Sequence, residues 1–103
     1  MLLEAHGWRV RVYASGEPFI ADLGEHTPDC LILDPHLPGM NGADVVRTLI
    51  DTRIDLPVIG LTAWPDSPLT LEVVSLGVSV MLTKPVRSEE LIEQITFAVC
   101  KCA

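Results

Sequence analysis

An aspartate, a threonine and a lysine each stand at the same kind of place in this chain, the end of a short apolar run. Asp34 closes Cys30-Leu31-Ile32-Leu33 and is followed at once by Pro35, Pro38, Gly39, Asn41 and Gly42. Thr62 closes Pro57-Val58-Ile59-Gly60-Leu61 and precedes the small Ala63. Lys84 closes Val78-Ser79-Val80-Met81-Leu82-Thr83 and precedes Pro85. A carboxylate, a hydroxyl and an ammonium gathered in one shallow site suit a phosphoryl group. The aspartate would be the nucleophile of an acyl phosphate, and the lysine and threonine would meet the equatorial oxygens. Each residue alone has a plainer reading. Asp34 could cap its Pro/Gly-rich turn, Thr62 could be a strand-end hydroxyl, and Lys84 a solvated cation.

The elements around these residues decide whether they meet. Short apolar runs bounded by turn formers read as buried strands, and a helical stretch separates each from the next. Such alternation predicts a parallel sheet whose C-terminal strand ends share one edge, so Asp34, Thr62 and Lys84 should converge there. Ser15-Gly16-Glu17-Pro18 opens a helix running to about His26, with Pro18 tolerated in the first turn. Asn41-Gly42-Ala43-Asp44 starts a second, with Val45, Val46, Leu49 and Ile50 at helical spacing and Asp44, Arg47 and Asp51 facing out. Asp66-Ser67-Pro68 starts a third, passing Leu71, Val74 and Leu76 to a stop at Gly77. The last begins at Ser88-Glu89-Glu90, two acids that favour a helix N-terminus, and Leu91, Ile95, Ala98 and Cys102 form its inward stripe. Ahead of all these, Trp8-Arg9-Val10-Arg11-Val12-Tyr13 alternates like a strand, with Val10 and Val12 on one face.

The run Leu33-Asp34-Pro35-His36-Leu37-Pro38-Gly39-Met40-Asn41-Gly42, with Leu61-Thr62-Ala63 and Lys84-Pro85, resembles the receiver domain of bacterial two-component response regulators over essentially the whole chain. The resemblance implies a flavodoxin-like α/β three-layer sandwich with a parallel sheet in the order 2-1-3-4-5. It implies that Asp34 is the phosphoacceptor, Thr62 the switch hydroxyl and Lys84 the lysine that bonds the phosphate. The backbone carbonyl of His36, with Asp34, would be a Mg²⁺ ligand, and the amides of His36 and Ala63 would face the phosphoryl oxygens. Met81 takes the place of the aromatic residue that rotates on phosphorylation, and its plainer reading is a buried strand residue. The implied partners are a histidine kinase or phosphotransfer protein, which phosphorylates Asp34, and an effector docking on the face made by the last two helices and the last strand. No enzymatic turnover of its own is expected.

Members of that family open with an apolar strand ending in two acids that hold the Mg²⁺, and neither occurs here. Met1-Leu2-Leu3-Glu4-Ala5-His6-Gly7 resembles the last turns of the family's first helix, and Glu4 lies in the wrong element to replace the pair. A strand lost from mid-sheet forfeits on the order of 5–10 kcal/mol of burial, against a net stability of about 5–15 kcal/mol for a whole domain. Residues 1–103 are thus expected to be one receiver domain incomplete at its N-terminus. The explanations are lost upstream residues, completion by a partner or swapped segment, or a rearranged sheet. A monomer with an open apolar edge is expected to recruit a strand, either Val10 and Val12 sliding in or a segment from a second copy.

Composition bounds the rest. The 103 residues are 49% hydrophobic and 5% aromatic with a formal charge of −7, which suits an α/β domain and argues against nucleic-acid binding. With no apolar run near the ~20 residues that span a bilayer and no signal-peptide pattern, a cytosolic location is expected. Cys30 reads as a small core residue, and Cys100-Lys101-Cys102 has no second cluster to complete a zinc site. His6, His26 and His36 fall on loops or helix ends and predict no histidine metal site. Two other functions compete. A pseudo-receiver would dock partners without phosphate, and a haloacid-type phosphatase would need an acid where His36 stands.

Overall fold

The computed structural model describes residues 8–102, and the Met1–Gly7 expectation lies outside them. In chain order the elements are α1 (Gly16–Asp22), β1 (Leu31–Leu33), α2 (Gly42–Asp51), β2 (Val58–Thr62), α3 (Pro68–Ser75), β3 (Val80–Thr83) and α4 (Ser88–Cys102). The three strands pair in parallel in the order β1-β2-β3, with Leu33 opposite Gly60 and Thr62 opposite Thr83. Period-2 alternation divides their side chains between two helical layers. Leu33 and Val58 join Phe19, Val45, Leu49 and Val73 of the layer formed by α1, α2 and α3. Ile59 and Leu82 join Ile95 of α4 on the other face. This is the three-layer α/β sandwich read from the sequence, with the sheet in the middle.

Local chemistry sets the helix boundaries. Asn41 caps α2 through a capping box, its side chain accepting from the Asp44 amide at 3.0 Å while the Asp44 side chain accepts from the Asn41 amide at 3.2 Å. Ser67 caps α3 by accepting from the Thr70 amide at 3.1 Å. Gly77 follows that helix at φ +97°, a left-handed position suited to glycine. The first helix stops at Asp22, short of the expected His26. Leu23 and Glu25 turn the chain instead, and the Thr27 hydroxyl donates to the Leu23 carbonyl at 2.8 Å. Ile50, expected inward on α2, is exposed, and so are Leu71 and Val74 on α3, where Thr70 and Val73 are buried.

The largest departure is Trp8–Tyr13, which forms no strand. A strand needs a ladder partner, and among the described residues β1 is the sheet's edge. Between that edge and the Trp8–Tyr13 segment lies a cleft of about 860 Å³, walled by Leu33, Leu37 and Val45 on one side and Ile32, Ile95 and Val99 on the other. Side chains hold the segment instead. The Tyr13 hydroxyl donates to Asp22, Arg11 lies 3.7 Å from the same carboxylate, and the Tyr13 ring meets Phe19 edge-on at 5.5 Å. Val12 is 80% exposed, so the valines do not slide in beside β1. No helix among the described residues is long and apolar enough to cross a membrane.

Candidate functional site

The sheet brings Asp34 and Lys84 together from strand ends 50 residues apart, with Lys84 Nζ 2.9 Å from Asp34 Oδ2. The other carboxylate oxygen accepts the His36 amide at 2.8 Å, closing an Asx turn. The turn-cap reading of Asp34 and the site reading are therefore both realised. Burial opposes ionisation of Asp34, but the Lys84 ammonium and the His36 amide outweigh it and hold the carboxyl below its ordinary range. At neutral pH this carboxylate is ionised, oriented and a third exposed, as a nucleophile must be.

The loop after Asp34 is held by close backbone contact. The Gly42 amide donates to the Pro35 carbonyl at 3.0 Å. A Cβ on Gly42 would lie 2.6 Å from Pro35 Cα, so only glycine lets the start of α2 come this near. Gly39 supplies the other special conformation, at φ +67°, and the Met40 amide beyond it donates to Glu17 at 3.0 Å.

Thr62 is fully buried at the end of β2, and its carbonyl accepts the Lys84 amide at 2.7 Å. Its hydroxyl, however, does not reach Asp34 or Lys84 by a hydrogen bond. The oxygen accepts the Trp64 amide at 3.0 Å and lies 3.3 Å from the Thr70 hydroxyl. Ala63 follows at an exposed position. Met81 packs, partly buried, against the layer of α1–α3, its sulfur lying over Gly60 where a β-carbon would otherwise stand.

Sequence reasoning assigned His36 only backbone roles, yet its side chain belongs to the site. The ring meets Trp64 edge-on at 5.1 Å, and Nε2 lies 3.0 Å from Ser67 Oγ. Nδ1 is buried without a hydrogen-bond partner, 3.7 Å from Asp34 Oδ1. The sequence offers Ser67 only as part of Asp66-Ser67-Pro68, which starts a helix, and gives no signal that it meets His36.

Hard oxygen donors for a divalent cation are few. The expected set is Asp34 and the His36 carbonyl; one Asp34 oxygen engages Lys84 and the other the His36 amide, and no other acid takes part in the hydrogen bonds or ion pairs of Asp34 among the described residues. That set does not by itself fit Mg²⁺, which wants six oxygens in near-octahedral array even when several are water. Asp22, Glu25 and His26 do bring ligand atoms within 4.8 Å of one another. Asp22 there is committed to Tyr13 and to His26 Nδ1 at 2.9 Å.

Comparison with known proteins agrees with this geometry. The family model described as the response regulator receiver domain matches residues 1–96. The response regulator protein TmoT of Ectopseudomonas mendocina is 34% identical over 98 residues, covering 95% of this chain and 44% of that protein. TodT of Pseudomonas putida is 33% identical over the same share of this chain and 43% of its own length. The crystal structure of FixJ-N superposes with a TM-score of 0.84 at 30% identity, over 95% of this chain and 78% of that one. The chain spans less than half the length of the curated relatives it matches.

Proposed function

The chain belongs to the response regulator receiver family, and from that premise we propose that Asp34 accepts a phosphoryl group from a histidine kinase or phosphotransfer protein. The observation that carries this reading is the Asp34–Lys84 contact of 2.9 Å, made across the end of β2 from the ends of β1 and β3. A carboxylate oxygen of Asp34 attacks phosphorus in line as the P–N bond to the donor imidazole breaks, and the imidazole leaves as a neutral base after taking a proton. Lys84 stays beside Asp34 and offsets the charge gathering on the phosphoryl oxygens. The thin oxygen set predicts weak Mg²⁺ binding, at Asp34 and the His36 carbonyl. The effector face of the family corresponds to α3, β3 and α4, where Leu71, Val74 and Phe97 are exposed.

The test is exposure of the chain to acetyl phosphate or a phosphohistidine donor, read by intact mass. One alkali-labile phosphoryl group is expected, absent from Asp34→Asn, because an amide is no nucleophile here. Labelling of Asp34→Asn at another aspartate would refute the assignment. A second reading, docking without phosphate, is favoured by the single carboxylate at the site. It predicts no labelling of the wild-type chain at any Mg²⁺ concentration together with retained partner binding.

A further inference from the structure

Counting hydrogens gives direction to the polar chain that begins at His36. The Thr70 hydroxyl has one proton, spent on the Trp64 carbonyl at 2.8 Å. Its oxygen must therefore accept, from Ser67 at 2.9 Å and from Thr62 at 3.3 Å. Ser67, its proton spent on Thr70, accepts from the Thr70 amide at 3.1 Å and from His36 Nε2 at 3.0 Å. The other ring nitrogen, Nδ1, is buried without a hydrogen-bond partner, 3.7 Å from a carboxylate oxygen. Ser67 and the edge of Trp64 hold the ring in this orientation. Two of the hydroxyl-bearing side chains, Thr62 and Thr70, have 0% and 1% of their surface exposed, so water cannot take over their bonds.

We propose that His36, Ser67 and Thr70 form a latch that keeps the Thr62 hydroxyl turned toward α3 until the space beside Asp34 is filled. The latch rests on the phosphoacceptor reading for its trigger. A phosphoryl group on Asp34 would crowd the ring edge that carries Nδ1, and the ring yields by turning away. Turning withdraws the Nε2 proton from Ser67, weakens the Ser67–Thr70–Thr62 chain, and frees Thr62 to donate to the phosphoryl group. Two buried arrangements of one hydroxyl, each satisfied, make a two-state element that a local charge can bias. His36, Ser67 and Thr70 act here as positioning residues.

The experiment is the χ1 rotamer of Thr62, read from three-bond couplings to its methyl carbon in isotopically labelled protein. The wild type should show one rotamer. Thr70→Val should average it, Thr70→Ser should restore it, and His36→Phe, which keeps a ring against Trp64 but no nitrogens, should loosen it. If Thr70→Val does not fold, Ser67→Gly breaks the same chain while keeping a residue tolerated at the N-cap. A Thr62 rotamer unmoved by both Thr70→Val (or Ser67→Gly) and His36→Phe overturns the latch. Beryllofluoride with Mg²⁺, followed by Trp64 fluorescence, should bind about two- to tenfold tighter to Thr70→Val, the worth of one ordinary hydrogen bond lost from the latched state. The rotamer measurement needs no phosphoryl mimic. A responsive rotamer without beryllofluoride binding therefore supports the latch and counts against phosphoacceptance, whereas tighter binding with a fixed rotamer does the reverse.

Discussion

Adding one methyl group at Gly42 should disturb the loop that carries Asp34 far more than the same change elsewhere. The new Cβ would stand 2.6 Å from Pro35 Cα, 3.3 Å from the Asp34 carbonyl oxygen and 3.4 Å from Pro35 C. Ordinary contact begins near 3.4 Å, so the loop and the start of α2 must part by about 0.8 Å (3.4 minus 2.6). All three atoms are backbone, and no rotamer change relieves them. Overpacking of this kind costs about 1–3 kcal/mol, against which alanine regains at most about 1 kcal/mol of helix propensity. With the full propensity gain subtracted the net loss is about 0–2 kcal/mol, at roughly 4–8 °C in Tm per kcal/mol for a domain near this size. Gly24 is the internal control, because a Cβ there meets nothing within 4 Å. Gly24→Ala should stabilise by about 0.4–1 kcal/mol through the unfolded chain. Urea melts of both variants give the sign. Acyl-phosphate labelling should slow in Gly42→Ala and not in Gly24→Ala, since only the former shifts Pro35 and with it Asp34. If Gly42→Ala matches the wild type in both urea midpoint and labelling rate, the loop accepts a methyl and the argument from backbone contact fails.

Three further outcomes follow from the same geometry. Lys84→Met should let the Asp34 carboxyl titrate at higher pH, read by carboxyl ¹³C shifts; because the pair is partly exposed, the stability cost should stay within about 1 kcal/mol, and an unshifted titration would remove Lys84 from the site. The Asp22 carboxyl is held low by the Tyr13 hydroxyl first and His26 second; that stabilisation is present above the unfolded carboxylate pKa and is lost as pH falls through the lower folded value, so Tyr13 ring shifts should move only in strongly acidic solution, and movement near neutrality would contradict the bond. The side of β1 that has no strand beside it among the described residues should make sedimentation depend on concentration, whereas a monomer that melts cooperatively at every concentration would mean the edge is silent.

Strand identity and the meeting of Asp34 with Lys84 were legible because period and order suffice. Apolar runs broken by Pro and Gly fix the strands, and parallel βαβ units put their ends on one edge. Trp8–Tyr13 misled because alternation reports which residues could share a face, not whether a backbone partner exists. Ile50 misled for a related reason, since it lies at helical spacing but just past the stripe that Val45, Val46 and Leu49 bury. The His36 side chain was invisible because its partners, Trp64 and Ser67, lie a helix and a strand further along the chain, and Ser67 already had a sufficient use as a helix cap. Hydroxyl direction at Thr62 is a property of such long-range bonds, which no local pattern encodes.

The order β1-β2-β3 has a kinetic side. Among the described residues each strand pairs with its neighbour in sequence, so chain closure needs only loops of moderate length, whose entropy grows slowly with length. The paired strands are 27 and 21 residues apart (Leu31 with Val58, Ile59 with Val80), and small domains fold in microseconds to seconds, while a ribosome adds about 5–20 residues per second. Each βαβ unit therefore has time to close as it emerges, β1 against β2 and then β2 against β3. The Asp34–Lys84 contact spans 50 residues and is drawn shut only by the arrival of β3. A nascent or partly folded chain holds the nucleophile without its counter-charge, so competence to accept phosphate would be the last property acquired in folding and the first lost when β3 frays.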